Sequence, residues 1–181
     1  SQVNSTEENV LSAVKYAFVK ARIGSDIVYD PAESIALEGN SGPYLQYAHA
    51  RARSIIAKAQ GDHHSRGGAE SDSGDLSLVT SMDILRQPGN DKGASLQPDE
   101  RLLVRKLTEY VEVVERATTE LMPHHICTYL YELAQEFNRF YEKNRVLGDD
   151  REVLRLALVS SYADTLKKGL ELLGIHAPDR M

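Results

Sequence analysis

Val10, Leu11, Val14, Phe18 and Ala21 recur at three- and four-residue intervals with polar residues between them, the periodicity of one apolar face on an α-helix. Ser5-Thr6-Glu7-Glu8 has the spacing of a capping box, so this helix is predicted to start at Ser5, run to about Ala21 and stop at Gly24. Ile27-Val28-Tyr29 has strand-like composition, and its flanks limit it to a short extended piece. A second helix is predicted from Pro43, where proline suits the first turn and Asn40 or Ser41 can cap it. It runs through Tyr44, Tyr47, Ala48, Arg51, Ile55 and Ile56 to about Ala59.

Three longer stripes follow. Leu103, Leu107, Tyr110, Val111, Val114 and Leu121 belong to one helix opened by Pro98-Asp99-Glu100 and closed before Pro123. Ile126, Leu130, Leu133, Phe137, Phe140 and Tyr141 mark the next, from Pro123 to Val146, with Gly148 ending it. Leu154, Leu158, Ala163, Leu166 and Leu170 mark the last, from Asp150 to Leu173, with Gly174 as its left-handed stop. Gly169 inside that helix costs about 1 kcal/mol relative to alanine, which is expected where a neighbouring helix packs close. Over 61–97 the composition shifts to Gly, Ser, Asp and Pro, predicting a long flexible, disordered loop with at most one helical turn near Met82 to Leu85. The fold class is therefore all-α: an antiparallel helix bundle with an N-terminal helical arm and one long loop. No 20 to 50 residue repeat is visible, which excludes a solenoid.

Composition narrows the class further. The 181 residues, 41% hydrophobic and 27% charged, suit one globular domain carrying an extra arm. A single cysteine, Cys127, has no disulfide or zinc partner of its own kind and fits a reducing compartment. The first twenty residues carry no signal-peptide core and no run approaches the roughly 20 apolar residues of a membrane span, so the cytoplasm is expected. A net charge of −6 argues mildly against a polyanion partner. Acidic residues, however, gather around Glu70, Asp72 and Asp75. Arg51, Arg53, Lys58, Arg101, Arg105, Lys106, Arg139, Lys143, Arg145, Arg151 and Arg155 fall in helical stretches, so a basic face remains open.

No catalytic set emerges. Gly67-Gly68 and Gly39-Asn40-Ser41-Gly42 lack the strand and glycine spacing of a nucleotide loop. His63-His64 and His124-His125 are adjacent pairs that point to different sides of a helix and chelate poorly, so no metal site is assigned. Cys127 reads as a small buried residue. Aromatic and basic residues are more suggestive. Tyr44 and Tyr47 are one turn apart, and Tyr47 and Arg51 share a helix face, so a ring and a guanidinium could stack on a base and hold a phosphate. The plain alternative packs Tyr47 against the last helix and pairs Arg51 with a carboxylate. Phe140-Tyr141 precedes Lys143 and Arg145; Phe140 belongs to the core and Tyr141 is the candidate.

The segment Gly39-Asn40-Ser41-Gly42-Pro43-Tyr44-Leu45-Gln46-Tyr47-Ala48-His49-Ala50-Arg51 resembles the signature that opens the helical, DALR-type anticodon-binding domain of arginyl-tRNA synthetases. Tyr129-Leu130-Tyr131-Glu132-Leu133-Ala134, Phe140-Tyr141, Val146-Leu147-Gly148, Arg155-Leu156-Ala157-Leu158-Val159 and the tail from Gly169-Leu170 to Met181 resemble the rest of that domain, in order. The resemblance covers residues 9 to 60 and 98 to 181; the 61–97 loop is poorly matched and carries no function over. It implies a class I synthetase that activates arginine with ATP and Mg and esterifies it to tRNA. The HIGH and KMSKS-like motifs of the catalytic domain do not occur here, so the chain is expected to be inactive alone, with no cofactor of its own. Residues 1–38 would be an arm from the end of the catalytic region and 39–181 the anticodon-binding domain of a cytoplasmic monomer. Its partners would be the anticodon loop of tRNA(Arg) and the catalytic domain of the same enzyme. Tyr47, Arg51, Tyr141 and Met181 match the family's tRNA contacts, with Tyr44 and Arg180 beside them. Arginine anticodons share a central cytosine whose N4 amine needs an acceptor. That base is expected to rest among Tyr47, Tyr141 and the Arg180-Met181 pair. The competing expectation is a helical protein-interaction scaffold.

Overall fold

The computed structural model describes residues 2–66 and 95–181, with side chains for 10–61 and 95–181. Its helices are α1 (Gln2–Val19), α2 (Pro31–Ser34), α3 (Gly42–Arg66), α4 (Pro98–Thr108), α5 (Tyr110–Glu120), α6 (His124–Lys143) and α7 (Glu152–Leu172). The described residues are all-helical, with no strand. Helices α3, α6 and α7 meet around Leu45, Leu130, Leu133, Phe137, Phe140, Tyr162 and Leu166, all fully buried. Helix α4 closes the core against α6 and α7, α5 lies on α6, and α1 crosses α3.

The arm differs most from its expected form. Helix α1 begins at Gln2, so Ser5 lies inside it and the capping-box spacing does not mark its start. Val10, Leu11 and Phe18 face outward, and Ser12, Ala13, Tyr16 and Ala17 form the buried face. The reason is proximity. A Cβ at Gly42 would stand 2.9 Å from the Ser12 carbonyl oxygen and 3.0 Å from Tyr16 Cβ, so small residues bring the two helices together. The Tyr16 hydroxyl bonds Asn40 Oδ1 at 2.5 Å, and Lys20 reaches the Asn40 carbonyl, fixing the arm to the start of α3. Ile27-Val28-Tyr29 is irregular, with Tyr29 stacked on Phe18. Asp30 Oδ1 accepts from the Ala32 and Glu33 amides and thereby caps α2.

Helix α3 is capped by Ser41, whose Oγ accepts from the Tyr44 amide at 3.1 Å. It continues past Ala59 to Arg66, into the stretch read as loop. Residues 67–94, including the turn foreseen at Met82 to Leu85, lie outside the described residues. The single helix expected from Pro98 to Leu121 is divided at Glu109, where Thr108 Oγ1 turns back to the Arg105 carbonyl at 2.8 Å. Val111 and Leu121 are exposed, and Ala117 takes the buried position instead. Leu121 adopts φ 54° and ends α5 in the left-handed conformation usually given to glycine. Gly169 lies against α6, where an added Cβ would stand 2.5 Å from Leu130 Cδ2.

Glu100, fully buried, ties α4 to α7. It accepts from the Gln97 amide at 2.9 Å, from Arg151 Nε and Nη2 at 2.9 and 2.6 Å, and from Arg155 Nε at 3.0 Å. Burial raises its carboxyl pKa, but the bonds from Arg151, the Gln97 amide and Arg155 outweigh that and hold it below the ordinary value. Arg155 also grips the Arg145 carbonyl at 2.7 Å. Two of the cations counted toward a basic face are thus turned inward.

Candidate nucleic-acid interface

Helix α3 buries Leu45, Ala48, Ala52 and Ile55 and leaves Tyr47, Arg51, Ser54 and Lys58 exposed, one line of i, i+4, i+7 and i+11 positions. Tyr47 is 45% exposed, so it does not pack into the last helix as the plain reading required. Tyr44 is half-buried beside it, its hydroxyl accepting from Asn138 Nδ2 at 3.0 Å and its ring edge-on to Tyr131. Burial and the nearby Tyr131 raise the Tyr44 pKa, so the phenol stays neutral through the physiological range.

The Arg51 guanidinium carbon sits 4.8 Å from the centroid of the Tyr141 ring, joining α3 to α6. No carboxylate pairs with Arg51 among the described residues. Tyr141 stacks on Phe137 at 6.1 Å, and Phe137 lies parallel to Tyr162 at 3.8 Å and 5°, so a column of rings runs from the surface to the core. Beyond Tyr141 the end of α6 and the turn to Leu147 line an open depression of about 540 Å³ that holds Lys143 and Arg145. Lys143 faces Asp99 at 3.3 Å, and Arg145 Nε donates to the Leu147 carbonyl at 2.8 Å.

The segment after α7 lies on another face of α3. Lys15 Nζ donates to the Gly174 carbonyl at 2.8 Å, and Gln46 Nε2 to the His176 carbonyl at 2.6 Å. His49 Nδ1 lies 2.8 Å from the Pro178 carbonyl, and Arg53 Nε meets Asp179 Oδ1 at 3.1 Å. A carbonyl only accepts, so Nδ1 carries the proton. Burial lowers the His49 pKa, and the Pro178 bond and Asp179 counteract this only in part, so the ring is neutral at pH 7. Arg180 and Met181 follow, both exposed. Among the described residues no hydrogen bond or ion pair joins them to Tyr47 or Tyr141. The structure therefore places Tyr44, Tyr47, Arg51 and Tyr141 on one surface and holds the last two residues at the end of a separate track. Sequence reasoning missed Gln46 and His49 as parts of that track. Their i, i+3 spacing with Arg53 at i+7 was the available signal, hidden because buried polar residues look like surface ones in a helical pattern.

Other chemistry is absent from the described residues. Burial pushes the Cys127 thiol up to about 12, far from a reactive thiolate. His124 and His125 stack at 4.2 Å, and His125 Nε2 faces Glu120 Oε2 at 2.6 Å. Among the described residues no three His, Cys, Asp or Glu side chains are placed to hold a metal ion, and no helix is long and apolar enough to cross a membrane.

Known proteins give the same direction. The family profile described as DALR anticodon binding domain matches residues 45–181. A protein of Cutibacterium acnes named arginine–tRNA ligase is 38% identical over 183 residues, covering 100% of this chain and 31% of that protein. One of Thermobifida fusca with the same name is 40% identical over 174 residues, covering 94% of this chain and 26% of its own length. The solved structure of Thermus thermophilus arginyl-tRNA synthetase superposes with a TM-score of 0.76 at 33% identity, over 100% of this chain and 28% of that one. The chain thus spans less than a third of the length of each of these three relatives.

Proposed function

Since the chain belongs to the DALR anticodon binding domain family, we propose that it is the anticodon-reading part of an arginine–tRNA ligase. The whole enzyme would join arginine to tRNA(Arg) with ATP and Mg. This chain would supply binding and no bond chemistry. The observation that carries the reading is the Arg51 guanidinium, exposed, paired with no carboxylate among the described residues and held over Tyr141, with Tyr47 one turn away. A planar cation beside two tyrosines suits a splayed single-stranded loop: rings take bases and the guanidinium takes phosphate. Tyr44 would brace the platform through Asn138, and Arg180 and Met181 would offer acceptors to the central cytosine.

In this reading residues 1–38 are the arm to the catalytic domain. Val10, Leu11, Phe18, Ile27, Val28 and Leu37 are exposed there, a surface suited to that domain and distinct from the tyrosine face. That separation favours RNA over protein at Tyr47 and Arg51. The enzyme would be a cytoplasmic monomer.

The test is equilibrium binding of this chain to a tRNA(Arg) transcript and to the same transcript with its central anticodon cytosine replaced. Tighter binding of the first is expected. Tyr47→Ala should weaken it by about 1–3 kcal/mol, the worth of one stacked base. Equal affinity for both transcripts would overturn the anticodon reading.

A further inference from the structure

Residues 175–179 lie on α3 in the manner of an extended strand. Ile175 and Ala177 are buried, while the carbonyls of the alternate residues, His176 and Pro178, accept from Gln46 Nε2 and His49 Nδ1. This is the two-residue alternation of extended chain, with side chains to the core and backbone to α3. Gln46 is also anchored from behind, 3.3 Å from Ser12 Oγ of α1. Gln46 and His49 are themselves 1% and 0% exposed, so their donors are held by packing. Arg53 and Asp179 close the outer end with a solvent-exposed ion pair, which contributes little alone. Both interior bonds go to backbone carbonyls, so they add to the hold that the buried Ile175 and Ala177 side chains already give.

We propose that Gln46 and His49 clamp residues 175–179 in one register and thereby aim Arg180 and Met181 at the anticodon loop, which makes both of them positioning residues of the binding site. The inference rests on the anticodon reading above. Its physical content is confinement. Two flexible residues beyond a fixed Asp179 have a root-mean-square span of about 8 Å, and seven beyond Gly174 about 15 Å. Releasing the clamp therefore enlarges the volume searched by the last residues roughly sevenfold and lowers their local concentration at a bound base by the same factor.

The experiment compares the unsubstituted chain with His49→Leu, His49→Asn and a chain shortened by Arg180 and Met181. Backbone mobility of residues 176–181, read from the 15N–1H heteronuclear NOE, is followed beside binding to the two transcripts, at a temperature where each variant gives native thermal melts. Asn places an amide N–H close to the position of Nδ1, and Leu does not. His49→Leu keeps the Gln46–His176 bond and the buried Ile175 and Ala177, so it frees four residues instead of two; it should raise tail mobility and cut the preference for the central cytosine about threefold, toward the level of the shortened chain. His49→Asn should restore both. A merely structural role would lower the melting temperature and leave the preference intact. Unchanged tail mobility in His49→Leu would overturn the clamp, and greater mobility with unchanged preference would overturn its aiming role. If His49→Leu does not fold, Gln46→Met, which removes the His176 bond at similar volume, takes its place under the same criteria. If the unsubstituted chain shows no preference, the anticodon reading falls and the aiming role with it, while tail mobility decides separately whether the clamp exists.

Discussion

At Gly169 one added carbon decides whether two helices keep their spacing. In an unhindered helix, alanine in place of glycine gains about 1 kcal/mol. Here its Cβ would stand 2.5 Å from Leu130 Cδ2 and 3.0 Å from Cδ1, and overpacking of this kind costs about 1–3 kcal/mol. Gly169→Ala is therefore expected to lower stability by up to about 2 kcal/mol, seen as an earlier urea midpoint at unchanged slope. A later midpoint would show that α6 yields freely. This site was legible in the sequence because a glycine inside a long apolar stripe weakens the helix unless a neighbour comes close enough to need it. Gly42 was not, although a Cβ there too would stand within 3.0 Å of its neighbours, Ser12 and Tyr16, because a glycine among Gly39, Asn40 and Ser41 already reads as turn chemistry. That Tyr47 and Arg51 share one face of α3 was legible through their spacing, whereas the approach of Arg51 to Tyr141 joins residues of different helices and appears only once those helices are packed.

Between elements, the decisive contact is polar. Glu100 is the shared anion of Arg151 and Arg155, and Glu100→Gln would leave Arg155, whose side chain is 5% exposed, with Asp149 as its remaining carboxylate. Breaking such a buried pair from one side is expected to cost about 3–5 kcal/mol in chemical denaturation. The pH dependence follows from the lowered carboxyl pKa. The folded protein holds this proton less tightly than the unfolded chain does, so the stabilisation is complete above the ordinary value of 4.5 and is lost as the pH falls through the lower folded value. Unfolding free energy below pH 4.5 should therefore fall more steeply in the unsubstituted chain than in Glu100→Gln; parallel profiles would rule out this linkage. Helix existence and order were readable from periodicity for α3, α6 and α7. For α1 the periodicity was present and its burial was inverted, since pattern alone assumes that the largest apolar residues face the core. Helix α1 meets α3 through Ser12 and Gly42 and buries Tyr16, which leaves Val10, Leu11 and Phe18 outside.

On the scale of the molecule, net charge and local charge point in different directions. The chain carries −6 overall, yet Arg51 and Lys58 lie exposed along one line of α3. Two phosphate contacts to single-stranded RNA predict a log–log salt slope of about −1.4, far below that of a broadly basic binder. Lys58→Ala should bring it to about −0.7, measured by titration at several salt concentrations; a slope near zero would leave no phosphate contact at all. The helical class was readable from the chain because its long stripes allow little else, and the separate tail track was not, since it depends on backbone carbonyls that every residue possesses. The ring column gives this surface an optical property as well. With nine tyrosines and no tryptophan, emission and near-ultraviolet dichroism arise mainly from phenol rings. Tyr162 is locked parallel to Phe137 in the core while Tyr47 lies open, so a nucleobase arriving on the surface should quench part of the emission, a built-in reporter that needs no dye.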